Sequence, residues 1–368
     1  MGEEYVTVRA GGFVWSAFRR VMVKAAIKEA ARSFHLDIAA EPSPGTAAWA
    51  FKAGTLIEIT SNGELLLAGY VDRYQPRLNG HQQAEIAVSG RSKAQDLIDS
   101  SAVHKTGHFK NKTPLQILQE LDKAGVGVKT DQTLDPVPTY RITPGESVFR
   151  IGEKLCREQG VTLCGQADGS ILITAAGGGM HTALVEGVNI MSIEADHNWS
   201  GRHSDVIVRG QAPYGHGPDA LEIEAKAQDA AVGRNRPVIV LHDGDIDRKR
   251  AKKRAKNRRD KEAGNSLKAN VTVQGFRDDA GKLWTPSWLV WLESPFAAVA
   301  QMMCVESVQY QQDRRGGSET VLTLVDPRAH GGKSGGGSSG KTAGAGASTG
   351  EAWNNDAGTD AVDDTGVA

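Results

Sequence analysis

The sequence predicts a mainly β protein in which two small β-barrel-like domains flank a compact α+β domain, followed by a flexible C-terminal tail. Three observations support this fold class. The first and last thirds of the chain alternate apolar and polar residues between turn signals, whereas the middle has helical periodicity. The end of the chain is rich in Gly, Ser, Ala and Asp. We therefore expect domains at 1–100, 101–182 and 183–330, with a tail at 331–368.

The first region has the pattern of a β-meander. Phe34, Leu36 and Ile38 alternate with polar residues, which is typical of a half-buried strand. Asn62-Gly63 and Asn79-Gly80 each separate two apolar runs. Asn-Gly readily adopts the positive φ that a tight hairpin turn requires. The regular spacing of these turns indicates a small barrel or sandwich.

The period changes to that of helices after Gly90. Ser92 and Gln95 have the spacing of a capping box, which predicts a helix beginning near Ser92. Thr113 and Gln116 form a second such box, and the Pro between them suits the first turn of a helix. A third helix is expected to end at Gly160, and an apolar hairpin follows it. These elements predict the compact α+β domain.

The last region returns to strand patterns, interrupted by one predicted helix at 251–263. The tail that follows it contains Trp353 as its only aromatic residue. Such a composition cannot bury enough apolar surface to offset the entropy of ordering. Two interpretations stay open: a solvated tail, or a tether that orders on a partner with Trp353 as its anchor.

Composition excludes several classes of protein. Lys and Arg number 43 against 44 Asp and Glu, so net charge favours neither nucleic acid nor membranes. No apolar run approaches the ~20 residues that a bilayer span needs, and the acidic N-terminus does not have the pattern of a secretory signal. The 3 Cys argue against a disulfide framework and are expected to be small buried hydrophobes in a reducing compartment.

Catalytic and cofactor motifs are not evident. The sequence has no nucleophile elbow, phosphate-binding loop, zinc-protease motif or C-x-x-C pair. We therefore predict a protein that is not an enzyme, with no catalytic, cofactor-binding or metal-binding residues and no cofactor.

The strongest charge feature is the run DRKRAKKRAKNRRDK at Asp247–Lys261. On a helix, Arg250, Arg254 and Arg258 share one face, and only Ala251 and Ala255 provide an apolar stripe. No aromatic residue is interleaved, so base stacking is not indicated. Three interpretations remain: a helix facing solvent or a partner protein, an electrostatic contact with nucleic acid, or neither. The candidate contact residues are Arg248, Lys249, Arg250, Lys252, Lys253, Arg254, Lys256, Arg258 and Arg259.

Three tryptophans are candidate interface residues, because large aromatic side chains are common both in cores and at interfaces. Trp284 and Trp288 lie in a Trp-rich stretch of the last region, and Trp353 lies in the tail. Trp288 and Trp291 would face opposite sides of one strand, which predicts one in the core and one at an interface.

Seven short segments, in chain order, resemble one protein family. The most specific is Val88–Ser101, in which a strand ends in Gly-Arg-Ser and a helix follows. The others are Leu67–Asp72, Pro144–Ser147, Gln159–Val161, Val208–Gln211, Asn235–Pro237 and Gly281–Trp284. Together they resemble the baseplate hub protein of Mu-like contractile phage tails, also called tail protein P, over roughly 1–330. The tail and the density of the basic run depart from the family pattern.

The resemblance implies a structural protein of the virion tail that is present in the host cytoplasm during assembly. It implies a homotrimer whose two barrel-like domains per chain form a ring of six quasi-equivalent barrels. Its partners would be the tail tube protein, the central spike protein and the baseplate wedge proteins. DNA would pass through the central channel in transient contact, and no stable membrane association is expected.

Two alternative functions come from other classes of protein. A tail-associated murein hydrolase would require paired carboxylates or a zinc-peptidase motif, and the sequence shows neither. A DNA-binding protein would use the basic helix at 247–261, and its affinity would depend steeply on salt.

Overall fold

The alternating residues of the first region form seven strands in the computed structural model, which describes residues 4–40, 51–79, 83–211, 223–313 and 316–333. Phe34, Leu36 and Ile38 are buried on one face, as their spacing predicts. Asn62 and Gly63 have φ of 49° and 82°, and they form the predicted hairpin turn. The strands are β1 (Val6–Ala10), β2 (Phe13–Trp15), β3 (Arg20–Ala26), β4 (Ser33–Ala40), β5 (Leu56–Ser61), β6 (Glu64–Asn79) and β7 (Gln83–Ser92).

The middle region is the expected α+β unit with its own apolar core. Thr113 and Gln116 form a complete capping box, and Gly160 ends the third helix with φ of 78°. Its elements are α1 (Gln95–Asp99), β8 (His108–Lys112), α2 (Pro114–Leu121), β9 (Val128–Thr130), β10 (Val137–Arg141), α3 (Val148–Gln159), β11 (Thr162–Gly165) and β12 (Ile171–Thr174).

The capping box predicted at Ser92 is wrong. Ser92 lies in β7, and α1 begins later with Ala94 as an N-cap that has no side-chain hydrogen bond. The Ser92 hydroxyl instead accepts a hydrogen bond from the Arg32 backbone N–H at 3.0 Å. The Ser92 hydroxyl therefore makes a tertiary hydrogen bond, whereas the local sequence pattern predicts that it caps a helix.

Among the residues that the structure describes, the last region contains nine strands, one long helix and a short 3-10 helix. The elements are β13 (Leu184–Val185), β14 (Ser192–His197), β15 (Asp205–Gln211), β16 (Ile223–Gln228), β17 (Pro237–Asp245), α4 (Arg248–Gly264), β18 (Leu267–Gln274), β19 (Leu289–Ser294), β20 (Val299–Asp313), β21 (Gly317–Val325) and the 3-10 helix Pro327–His330. The predicted helix is therefore longer at its N-terminal end. β15, β16, β17 and α4 form an insert between β14 and β18 with a small separate core.

Strands from the first and last regions belong to a single sheet. Its main path runs β14-β18-β21-β20-β3-β4-β7-β6-β5-β1-β2, and β20 pairs antiparallel with β3 between Ser307–Ala26 and Asp313–Arg20. One large apolar core lies against both halves of this sheet. The mainly β fold class is confirmed. The described strand pairs do not close into a barrel within this chain, because β14 and β2 are open ends of the path.

The described residues lie in a unit that spans residues 1–337. The boundaries at 100, 182 and 330 therefore stay predictions, although the middle region does have its own core. Most of the predicted tail, including Trp353, lies outside the described residues. No helix within the described ranges combines the length and the apolar character needed to cross a membrane.

Candidate interaction surfaces

The basic run forms the helix α4. The Asp247 carboxylate accepts a hydrogen bond from the Arg250 backbone N–H at 2.8 Å and so acts as the N-cap. Ala251 and Ala255 are fully buried and pack on the insert sheet with Val208 and Ile223. Two alanines allow the helix to lie close to the sheet while long cations project from its other faces.

Five of the nine candidate cations already have partners within the chain. On the side toward the middle region, Arg250 Nη2 lies 3.5 Å from Glu158 Oε2, and Lys253 Nζ lies 3.0 Å from Asp135 Oδ2. The other three pairs are Arg254 with His242, Arg258 with Glu262 and Arg259 with Asp260. Four of these contacts are ion pairs, and the contact of Arg254 with His242 is a hydrogen bond.

The remaining four cations form one exposed stripe. Arg248, Lys249, Lys252 and Lys256 have no ion-pair partner within the described residues. At about 100° per residue they fall within an arc of roughly 100° on the helix surface. We call these four residues the free stripe. The sequence indicated nine equivalent contact residues, whereas the structure separates them into a paired set and the free stripe.

The tryptophans of the last region pack around a buried histidine. Trp284 is only 3% exposed and belongs to the main core, so the structure does not place it at an outer surface as expected. His181 lies between the two rings, with centroids 4.6 Å from Trp284 and 4.8 Å from Trp288. Trp288 is half-buried, and its ring covers Gly179, where an added Cβ would lie 2.5 Å from the indole.

His181 has one defined tautomer. Its Nε2 accepts a hydrogen bond from the Thr285 backbone N–H at 3.0 Å, so Nδ1 carries the proton and donates it to Asp278 at 2.8 Å. Burial lowers the pKa of His181, despite the opposing effect of the Asp278 carboxylate. Burial would raise the pKa of Asp278, but the hydrogen bonds from His181 and Lys282 outweigh it and keep that pKa below its usual value. The pair is a structural feature of the core.

The Gly-Arg-Ser segment joins the first and middle regions. Arg91 donates hydrogen bonds to Asp72 at 2.9 Å and to both carboxylate oxygens of Asp99 at 3.1 and 2.7 Å. These bonds connect β6 to α1 and raise the pKa of Arg91, because they stabilise its charged form. The buried Arg32 next to it donates to the carbonyl oxygens of Gly165 and Leu66 at 3.0 and 2.7 Å. The segment is therefore a structural junction.

Two open strand edges were not identified from the sequence. β2 and β14 lie at opposite ends of the main sheet path. In β2, Phe13 is 48% and Val14 is 65% exposed. Directly before β14, Met191 is 59% exposed. Short strands of this kind carry little signal, since whether an edge is free depends on pairing that is distant in sequence.

His, Cys, Asp and Glu side chains are the groups that could hold a metal ion or take part in chemistry. No group of three or more His, Cys, Asp or Glu side chains in the described residues is arranged to hold a metal ion. Cys156, Cys164 and Cys304 are buried and unpaired, which confirms the prediction for them. Burial raises the pKa of Cys164 to about 11 and that of Cys156 to about 12, so both thiols are protonated near neutral pH.

Three domain models of phage baseplate proteins match the chain in order. Residues 5–92 match the N-terminal domain of the Mu phage baseplate assembly protein GpP-like family. Residues 94–175 match the second domain of the baseplate hub protein gp44-like family, and residues 247–331 match the fourth domain of the Mu phage baseplate assembly protein GpP. Residues 176–246 lie between the last two of these matches.

Individual relatives agree with these models. The baseplate hub protein gp44 of Escherichia phage Mu is 27% identical over 334 residues, which cover 87% of each chain. A 43 kDa tail protein of prophage MuSo2 from Shewanella oneidensis is 26% identical, with a TM-score of 0.80 over 89% of this chain and 100% of that one. A tail protein from Neisseria meningitidis MC58 shares the fold, with 20% identity and a TM-score of 0.75 over 89% and 99%.

The fold and the ordered matches define a protein of a phage tail baseplate. The chain belongs to the family of Mu-like baseplate hub proteins, as the resemblance of the Gly-Arg-Ser segment and the other short motifs predicted.

Proposed function

We propose that this chain is the structural hub of a contractile-tail baseplate, and that three copies form a closed ring between the tail tube and the central spike. Membership of the Mu-like hub family supports the hub role and a location in the virion tail. In this role the protein acts through its interaction surfaces. Strand edges would join the copies, other faces would contact the tube, spike and wedge proteins, and a central channel would let DNA pass. Assembly in the host cytoplasm would precede incorporation.

The observation that carries the ring is the pair of open edges on one chain. An unpaired strand edge with exposed apolar side chains favours pairing with another chain. Val14 on β2 and Met191 beside β14 provide such side chains at opposite ends of the path. The barrel-like shape expected for each domain would then require strands from neighbouring copies.

Charge favours the contact of β14 with β2 of the next copy. Glu194 and Asp196 point outward from β14 and have no ion-pair partner within the described residues. Arg9 on β1, the neighbour of β2, is exposed and likewise has no ion pair in those ranges. A head-to-tail contact of this kind closes into a ring when the rotation between copies is a whole fraction of a turn.

The ring is tested by mass in solution. Native mass spectrometry of the purified chain, alone and with its spike protein, should give a species of three times 39.2 kDa. Val14→Asp and Met191→Asp should each shift this species to the monomer, because a desolvated carboxylate would be placed at the contact. Val103→Asp is the matched control, because Val103 is 72% exposed in the middle region, away from both edges.

The outcomes separate the ring from the hub role. If the two edge variants stay trimeric, the proposed edges are wrong, although the hub role could still hold. A wild-type chain that stays monomeric and does not co-purify with spike and tube proteins would contradict the hub role itself. The tail tube, wedge and spike contacts are tested by the same co-expression.

A contact with the phosphate backbone of passing DNA is a second role that the free stripe supports. Its four cations are not neutralised within the described chain, and no apolar side chain lies between Arg248, Lys249 and Lys252 on that face. Such a surface suits a sequence-independent polyanion better than a typical protein interface, whose centre is depleted in Lys.

This contact is measured as the salt dependence of duplex binding. Each lost phosphate contact lowers the slope of log K against log salt by about 1, so Lys252→Gln with Lys256→Gln should lower it by about 2. Lys253→Gln is the control, because Lys253 is already paired with Asp135. Equal slopes for both variants, or no duplex binding at low salt, would contradict a DNA contact. An acidic wedge protein that binds the stripe in place of DNA would support the partner-facing interpretation.

The proposed role is structural, and the hub proteins that the chain resembles carry structural names. Clearing of a murein zymogram by the purified chain would contradict it and favour the hydrolase alternative.

A further inference from the structure

The insert sheet, which has the order β16-β15-β17, has two different edges. On β16, Glu224 and Lys226 alternate along the outer face and pair with β15, through Arg209 at 2.8 Å and Asp205 at 2.9 Å. Charged side chains of this kind are a common protection of an edge against pairing with another strand. The other face of the sheet is covered by α4.

The β17 edge lacks that protection. β17 pairs only with β15 among the described residues. On β17, Ile239 and Leu241 lie opposite Ile207 and Arg209 of β15. On the other side of β15, the same two residues lie opposite the charged Lys226 and Glu224 of β16. Ile239 is 51% and Leu241 is 68% exposed. One edge of a three-stranded sheet is therefore charged and paired, and the other is apolar and open.

An open cleft of about 260 Å³ lies where β17 begins. It is lined by Trp199, Arg202, Val232, Gly233, Arg234 and Arg236. Trp199 is 47% exposed, and the Arg202 guanidinium lies 4.6 Å from the centroid of its ring. The walls are held by internal bonds: Arg202 pairs with Asp229 at 2.6 Å, and Arg236 donates to the Trp199 carbonyl at 3.2 Å.

Arg234 has a different status from the two other arginines of the cleft. Its side chain is exposed and has no hydrogen bond or ion pair within the described part of the chain. The carboxylate of Asp229 is already engaged by Arg202 and the Ala231 backbone N–H. The cleft therefore combines an exposed indole face with one cation that has no counter-charge.

We propose that β17 and this cleft bind an extended segment of a partner protein, which adds a fourth strand to the insert sheet. The segment would place two apolar side chains, two positions apart, beside Ile239 and Leu241. It would also place a carboxylate, from a side chain or a chain terminus, at Arg234 beside Trp199. Strand addition draws affinity from main-chain hydrogen bonds and specificity from alternate side chains.

The charge and the backbone favour a protein segment over nucleic acid. Nucleic acid could use the indole and Arg234, but its sugar-phosphate backbone lacks the alternating N–H donors and C=O acceptors that pair with a strand edge such as β17. The apolar side chains of Ile239 and Leu241 would also stay uncovered. This site lies on the insert and does not depend on the ring proposed above.

The test uses the full-length chain and four synthetic nine-residue peptides that alternate Val with Thr. The peptides carry Asp near the N-terminus or near the C-terminus, each as the free acid or the C-terminal amide. Isothermal titration calorimetry measures the affinity of each peptide. Hydrogen exchange measures the protection of those β17 amides that do not form hydrogen bonds with β15. We expect at least one peptide to bind and to slow exchange at those amides. Methylation of alternate peptide nitrogens should abolish binding, because it removes the edge hydrogen bonds.

Variants of β17 and of the cleft test which residues contribute to peptide binding. Ile239→Lys with Leu241→Lys replaces the exposed apolar side chains of β17 by charged ones and should lower affinity at least tenfold. Arg234→Gln should lower the affinity of whichever of the four peptides binds most tightly, because it removes the cation that meets the peptide carboxylate. Val103→Lys is the control for an exposed apolar residue elsewhere. Circular dichroism and thermal unfolding must match the wild type for each variant.

Three results would overturn the proposal. The first is that none of the four peptides slows hydrogen exchange in β17. The second is that the double-lysine variant binds the peptides as well as the wild type does. The third is that methylation of alternate peptide nitrogens has no effect on binding. Equal affinity of the acid and amide forms, with dependence on Asp position, assigns the carboxylate to a side chain. Tighter binding of the free-acid forms, with no dependence on Asp position, assigns the carboxylate to the chain terminus.

Discussion

Single residues in the Gly-Arg-Ser segment have separate structural tasks. Gly90 allows β6 and β7 to approach, since an added Cβ would lie 2.0 Å from the Tyr70 carbonyl oxygen. Arg91 joins β6 to α1, and Ser92 accepts a hydrogen bond from Arg32. Packing and hydrogen bonding therefore explain all three residues of the motif that carried the family resemblance.

Replacement of Gly90 should be strongly destabilising. Gly90→Ala would force backbone atoms of β6 and β7 apart, and we expect a loss of about 3 kcal/mol in the free energy of unfolding. Gly201→Ala is the matched control, because nothing lies within 4 Å of the added Cβ. Urea unfolding followed by circular dichroism gives both values. A Gly90→Ala midpoint equal to that of Gly201→Ala would contradict the close approach.

Acid should destabilise the protein through buried groups. Burial lowers the pKa values of His181 and His330, so both are neutral in the folded state while the unfolded chain binds protons below about pH 6.5. Burial would raise the pKa of Glu306, but His330 and Lys28 outweigh it and hold that pKa well below its usual value. All three groups contribute stability above their unfolded pKa values, and that stability is lost as pH falls.

We therefore expect the melting temperature to fall from pH 7 to pH 5 and again below about pH 4.5, where unfolded Glu side chains become protonated. His330→Gln should flatten the first decline, because it removes one of the two histidines whose pKa burial lowers. Differential scanning calorimetry across this range measures both. A wild-type melting temperature that is constant between pH 7 and pH 5 would contradict the assignment.

Elements whose signals are local were predictable from sequence. The Asn62-Gly63 turn and the Thr113 capping box need only residues close in the chain, and both are present. The Ser92 box failed because Arg32, distant in sequence, occupies its hydroxyl. The separation of the free stripe from the paired cations, and the burial of Trp284, likewise depend on neighbours that become adjacent only on folding.

The capping box of α2 should contribute measurably to stability. Thr113→Ala removes the hydrogen bond that the hydroxyl accepts from the Gln116 backbone N–H at 3.3 Å, and we expect a loss of about 1 kcal/mol. Thr113→Ser retains the acceptor and should recover most of the loss. Urea titration of the three proteins measures this. Equal midpoints for the Ala and Ser variants would show that the cap does not stabilise the chain.

At the scale of the whole molecule, β20 is the element that joins the two β regions. Its first half pairs with β19, and its second half pairs with both β3 and β21. Val308 lies in this second half, is fully buried, and packs in the core shared by strands of both regions. Separate domains could unfold independently, but a shared sheet and core cannot be opened on one side alone. The middle region, with its own core, is the part that can open separately.

The two β regions should therefore unfold as one cooperative unit. In native-state hydrogen exchange, amides of β4 and β18 should open with the same free energy and the same urea dependence. Val308→Ala should lower both by an equal amount, about 2 kcal/mol, because one cavity is shared by the two regions. Ile151→Val, in the core of the middle region, should cost about 1 kcal/mol and act mainly on the amides of α3. A Val308→Ala effect confined to β18 would show that β3 and β20 join two independently stable domains, and the hub would then be better described as separate modules.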